Sequence, residues 1–182
     1  MPDRPVPLLV LGLGNVLCGD DGLGVAAVHL LLRRHRPPAD VSVLDGGTLG
    51  LSLLPHLEDA RAAILVDAIR GEGPPGSLVR LEGEDVAPAV AARLSVHQVG
   101  VVDLLDGARW HDRCPDPLVL LGVIPRSLGL GVGLSPPVEA ALPPLVERIV
   151  AEAARLGHAF TPRSIDEPAA GGPSPFARAL GL

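Results

Sequence analysis

The chain has 182 residues, 47% of them apolar, with 15 basic against 21 acidic side chains and a formal net charge of -6. That length supports one domain with a substantial core and is short for two. The acidic balance and the scattered arginines argue against nucleic-acid binding, and no apolar run approaches the ~20 residues that cross a bilayer.

Lysine is absent, so every basic residue is an arginine. A P-loop needs its lysine on the terminal phosphates and a pyridoxal phosphate enzyme needs one for the Schiff base, so both classes are excluded. The stretch MPDRPVPLLV at the N-terminus lacks the basic region, long apolar segment and small-residue cleavage site of a secretory signal. Cys18 and Cys114 lie far apart and belong to no CxxC pair, so a disulfide framework is not expected. The composition points to the cytoplasm, with no membrane and no nucleic-acid partner.

In chain order, PLLVLGLG (7–14) reads as a first strand and 22–36 as a helix, ended by RPPAD (36–40) because a residue before proline is pushed out of helical geometry. VSVLDGG (41–47) is a second strand, 50–59 a helix and AAILVDAI (62–69) a third strand. After the loop GEGPPG (71–76) come a strand SLVRLEG (77–83), a stretch 84–96 that fits neither period, and a helix over 97–109. PLVLLGVIP (117–125) is the last strand and 136–157 the last helix.

The strands are mostly continuous apolar runs, as expected when both faces are buried. The predicted fold is α/β: a single three-layer domain whose twisted, mainly parallel sheet of about five strands lies between helices. It is assigned to 1–158, and 159–182, with TPRSIDEPAAGGPSP, is too poor in large apolar groups to offset its ordering entropy and reads as a loose tail.

LVLGLGNVLCGDDGLGV (9–25) begins like a dinucleotide fingerprint. Gly12 and Gly14 fit, but the third glycine position is Leu17. Asp45, placed to be a ribose-binding acid, comes about 30 residues on instead of the usual ~20. Asp20 and Asp21 would also set two carboxylates where a pyrophosphate should rest. The expectation is that one of the pair caps the following helix, for roughly 1 kcal/mol. If Asp20 is the cap, Asp21 takes the first helical position, over the sheet edge where open α/β folds bind ligands.

Asp67 closes the run AAILVD and His97 opens a helix after RLSV. Singly, the first is a turn or capping residue and the second a surface histidine. Together with Asp21 they form an O,O,N donor set suited to a metal.

GLGNVLCGDDGLGV, LDGGT, ILVDAI, SVHQVG, LLGVIP and GLSPPVEAAL, in that order and spacing, resemble the [NiFe]-hydrogenase maturation endopeptidases over roughly residues 7–155. The resemblance implies removal of a C-terminal peptide from the hydrogenase large-subunit precursor after nickel insertion, by a monomer that meets its partner transiently. It puts the metal ligands at Asp21, Asp67 and His97, with Asp20 as the rival register for the first, where many relatives have glutamate. Two carboxylates and one imidazole hold a borderline metal more loosely than a hydrolytic zinc site does. As the resemblance implies, the nickel, or another divalent metal in its place, is expected to arrive on the substrate.

No HExxH or GxSxG supplies the attacking group. Two options stay open: nickel as a Lewis acid, or Asp45 of LDGGT as general base. Cys18 is disfavoured because nothing near it in sequence marks a base. Gly46, Gly47 and Thr48 are expected to form a flexible loop for the substrate tail. The alternative function is a metal-sensing chaperone that binds the loaded precursor without cutting it.

Overall fold

The computed structural model describes residues 6–91 and 96–164, with the side chains of residues 6 and 96–99 outside that description. Five strands form the main sheet: β1 (Val6–Leu13), β3 (Val41–Gly47), β4 (Ala60–Ala68), β5 (Leu78–Glu82) and β6 (Leu118–Val123). Their order is β3-β1-β4-β6-β5, parallel except that β5 runs antiparallel to β6 at the edge. The helices are α1 (Leu23–Arg34), α2 (Leu54–Glu58), α3 (Val86–Ala91), α4 (Val96–Trp110) and α5 (Pro136–Arg155).

Alternation along β1 divides the interior. Leu8 and Val10 join Ile64, Val66, Leu121 and residues of α1 and α5 in one core. Leu9, Leu11 and Leu13 pack with Leu65, Leu120 and residues of α2, α3 and α4 in the other. Both pleat faces are therefore apolar, which is why the strands read as unbroken runs.

α5 continues through Pro143 and Pro144. An interior proline costs about 3 kcal/mol, but Val138, Leu145, Val146 and Ile149 on this helix are all buried, at roughly 1.5–3 kcal/mol each. Packing outweighs propensity here.

The remaining differences from the sequence reading are local. The expected helix 50–59 is a 3-10 turn, Gly50–Leu53, leading into the short α2, and the unassigned stretch after β5 holds a 3-10 turn, Gly83–Asp85, and α3. Beyond residue 158 the chain still contributes: Phe160 is buried in the core, and β7 (Thr161–Pro162) pairs with β2 (His35–Arg36). Residues 165–182 of the expected tail lie outside the described residues. Among the described residues no helix is long and apolar enough to cross a membrane.

The connection after β1 goes to β3 on one side, whereas the chain leaving β3 crosses to β4 on the other. The gap between the carboxyl ends of β1 and β4 is therefore the topological switch point, where open α/β sheets place ligands.

Candidate active site

β1 ends at Leu13, and Gly14 turns the chain with φ 124°, a conformation that side-chain-bearing residues rarely adopt. A Cβ on Gly14 would collide with the carbonyl oxygen of Asp21 and lie 3.6 Å from Asp67 Oδ1. These contacts bring the turn after β1 and the end of β4 together at the switch point. Asp21 and Asp67 are each only 2% exposed. The Asn15 N–H donates to Asp21 Oδ2 at 2.8 Å, and the Ala68 N–H donates to Asp67 Oδ1 at 2.8 Å.

Gly12, by contrast, serves close packing. A Cβ there would strike the carbonyl of Gly24 and the Val28 side chain, while one on Gly24 would strike the carbonyls of Leu13 and Val66. The close helix-on-strand approach that a dinucleotide fold obtains from its third glycine is thus supplied by Gly24, after the acidic insertion.

Neither aspartate caps α1. Both lie in a 3-10 turn, Gly19–Gly22, and the residue preceding α1 is Gly22, with no side-chain cap. Asp20, 1% exposed, instead accepts from the N–H groups of Arg126 at 2.8 Å, Ser127 at 3.1 Å and Ser135 at 2.6 Å, and from Ser135 Oγ at 2.8 Å. It closes the neck of the loop that joins β6 to α5. Burial pushes its carboxyl up, but the donors from Ser135, Ser127 and Arg126 outweigh that and hold it below its ordinary 3.8. Four donors from one loop satisfy a buried carboxylate better than one helix terminus does. Both oxygens of this rival ligand are engaged in that way.

His97 lies in the first turn of α4, and its side chain is outside the described residues. One turn further on, Gly100 packs against Gly50: a Cβ on Gly50 would be 3.2 Å from the Gly100 Cα. That contact seats the start of α4 beside the 3-10 turn that follows β3. Among the described residues no group of three or more His, Cys, Asp and Glu side chains is arranged to hold an ion.

The expected substrate loop is part of the sheet. Gly46 and Gly47 are the last residues of β3, with Thr48 in the turn beyond. The register slips there: Gly12 faces Asp45 but Leu13 faces Gly47, leaving Gly46 as the extra residue of a bulge. Gly46 is glycine because a Cβ would come within 2.7 Å of Leu11 Cδ1 and 3.0 Å of Leu53 Cδ1. Asp45 is half-buried, and its Oδ2 lies 2.8 Å from His29 Nε2. Sequence reading missed His29; the available signal was a polar residue interrupting the apolar helical run VAAVHLLL. Cys18 precedes the turn 19–22 and bridges to Gly131.

A family model described as hydrogenase maturation protease matches residues 25–152. The chain belongs to the hydrogenase maturation proteases. Similarity within that protease family extends over nearly the whole fold. The hydrogenase 2 maturation protease of Escherichia coli K12 is 38% identical over 157 residues, 86% of this chain and 96% of that one. The hydrogenase expression/formation protein HupD of Rhodobacter capsulatus is 40% identical over 154 residues, 84% of this chain and 71% of that one. Among solved structures, the hydrogenase maturating endopeptidase HybD from E. coli superposes with a TM-score of 0.82 at 37% identity, covering 86% of this chain and 98% of that one. A hydrogenase 2 maturation peptidase from a thaumarchaeote gives 0.63 at 38% identity, covering 82% and 99%. The protein is thus a protease with the α/β fold expected from its strand pattern.

Proposed function

We propose that this protease removes the C-terminal extension of a [NiFe]-hydrogenase large-subunit precursor after nickel insertion, and that the nickel carried by the precursor is its recognition signal. The observation that carries this reading is the placement of two buried acids at the switch point of the sheet: Asp67 Oδ1 and the Asp21 backbone carbonyl both border Gly14, and the Asp21 carboxylate is held by the neighbouring Asn15 N–H. The names of the family's curated members, hydrogenase maturation proteases, support the substrate class.

The donor chemistry fits an ion that is cargo. Hard carboxylate oxygens and a single imidazole, from Asp21, Asp67 and His97, form a weak set for a borderline metal when they act alone. They complete the coordination of an ion whose remaining ligands come from the precursor. Other divalent ions satisfy the same donors. Cleavage then waits for loading, because the unloaded precursor brings nothing for these residues to hold.

For the chemical step, nickel supplies Lewis acidity at the carbonyl. Asp45 acts as general base, a role supported by its half-buried position beside the Gly46–Gly47 bulge. Water attacks the scissile carbonyl carbon and its proton passes to Asp45. As the C–N bond breaks, that proton is delivered to the leaving amine. The enzyme works in the cytoplasm as a monomer and meets its substrate transiently.

The deciding experiment is Asp67→Asn, assayed for precursor processing by mass spectrometry beside the wild type. The wild type shortens the nickel-loaded precursor and the folded variant leaves it intact. A folded variant with wild-type activity refutes the site. A wild type that binds the loaded precursor without shortening it is a chaperone instead.

A further inference from the structure

His29 is the polar residue in the apolar run of α1, between Val28, which is buried, and Leu30, which packs against the core. Its side chain is 21% exposed, that of Asp45 26%, and Nε2 lies 2.8 Å from Oδ2. An ionised carboxylate only accepts hydrogen bonds, so Nε2 carries the proton and donates it. The imidazole also lines a surface cleft of about 250 Å³ together with Val16, Gly22, Ala26, Arg33 and Val132.

One oxygen of Asp45 is therefore fixed from the side of α1. The other, Oδ1, lies 3.6 Å from the point a Cβ would take on Gly47. The Gly47 carbonyl accepts from the Gly14 N–H at 3.0 Å, and Gly14 borders Asp67 Oδ1 on its other side. The chain of contacts runs from His29 through Asp45 and Gly47 to the turn that gathers Asp21 and Asp67.

We propose that His29 is a positioning residue for the cleavage: by donating to Asp45 Oδ2 it fixes the rotamer of that carboxylate and leaves Oδ1 to take the proton of the attacking water. This rests on the assignment of Asp45 as general base. A partly exposed hydrogen-bonded pair of this kind contributes little to stability. Removing the imidazole is therefore compatible with a folded protein, whereas a misplaced reacting group can lower a rate by about 10²-fold.

The test compares His29→Leu, which keeps the apolar packing and removes the donor, with His29→Gln, whose amide nitrogen can replace Nε2. Precursor cleavage is followed under saturating and limiting substrate, with the melting temperature as control. The expected result is a kcat about 10²-fold lower for His29→Leu at unchanged KM, and recovery of most of that loss in His29→Gln. If His29→Leu does not fold, His29→Asn, whose shorter side chain does not reach Oδ2, takes its place.

Wild-type kcat in the donor-less variant, a change confined to KM, or a His29→Gln variant no better than His29→Leu overturns the proposal. Asp45→Asn separates the two levels. If it cleaves normally, the base assignment falls. If it is inactive while His29→Leu is fully active, only the role of His29 falls.

Discussion

Asp67 Oδ1 lies 3.6 Å from the point a Cβ would occupy on Gly14, and that same Cβ would overlap the carbonyl oxygen of Asp21. A single glycine thus lets the Asp21 turn pack against the end of β4. Gly14→Ala combines this overlap with a φ of 124°, a strain of about 1–3 kcal/mol. The variant is expected to melt lower and to lose processing, because relief of the overlap moves the Asp21 turn away from β4. Circular dichroism melting and a precursor cleavage assay check both effects; unimpaired cleavage would show that the spacing is not critical.

Adjacent aspartates are predicted to respond in opposite ways. Asp20→Asn, losing charge-assisted bonds to the 126–135 loop, is destabilised by about 2 kcal/mol. Asp21→Asn keeps an acceptor for the Asn15 N–H, so it is expected to hold its fold and, on the proposed ligand role, to lose cleavage by at least ~10²-fold. Chemical denaturation and a cleavage time course on both variants decide the register of the site. An active Asp21→Asn would remove it from the ligand set.

The pH dependence of the Asp20 contribution has a definite sign. Its folded carboxyl titrates below the ordinary 3.8, so the native state binds fewer protons than the unfolded chain as pH falls through that region. The stabilisation is complete above 3.8 and disappears as pH falls through the lower folded value. Denaturation curves of wild type and Asp20→Asn are therefore expected to stay separated at neutral pH and to converge only in acid. A gap that closes near neutrality would contradict the assignment.

Glu152 on α5 is 6% exposed and takes a two-pronged bond from Arg80 on β5, with Nε to Oε2 and Nη2 to Oε1 both at 2.9 Å. The Arg80 bonds, helped by Arg155 and opposed by burial, hold its carboxyl below the ordinary range. Glu152→Gln breaks the tie between the antiparallel edge strand and the last helix and is expected to lose about 2 kcal/mol. Cleavage should persist below the new melting temperature, since the pair lies away from the switch point. Activity lost in a folded variant would tie this edge to the site.

How much of this was legible in the sequence depended on how local the cause was. The sheet strands were readable because a strand buried on both faces is an unbroken apolar run, and Asp67 stood out because it closes such a run, whereas Asp21 stood out only by its motif. Asp20 was misread because its partners lie more than 100 residues away, on a loop that nothing in the local sequence links to it. His29 escaped notice because its partner, Asp45, lies on a different element, β3. Gly46 and Gly47 read both as the end of the second strand and as loop residues, since glycine is common in loops; only the register of β3 against β1 reveals a bulge. The two-residue pairing of β2 with β7 is too short to carry any periodic signal.

The most direct test of the central claim is to incubate the purified protein with a hydrogenase large-subunit precursor, nickel-loaded in one sample and nickel-free in the other, and to weigh the products. Loss of a C-terminal peptide from the loaded precursor alone, abolished by Asp67→Asn, is the predicted result. Equal cleavage of both forms would contradict nickel as the recognition signal.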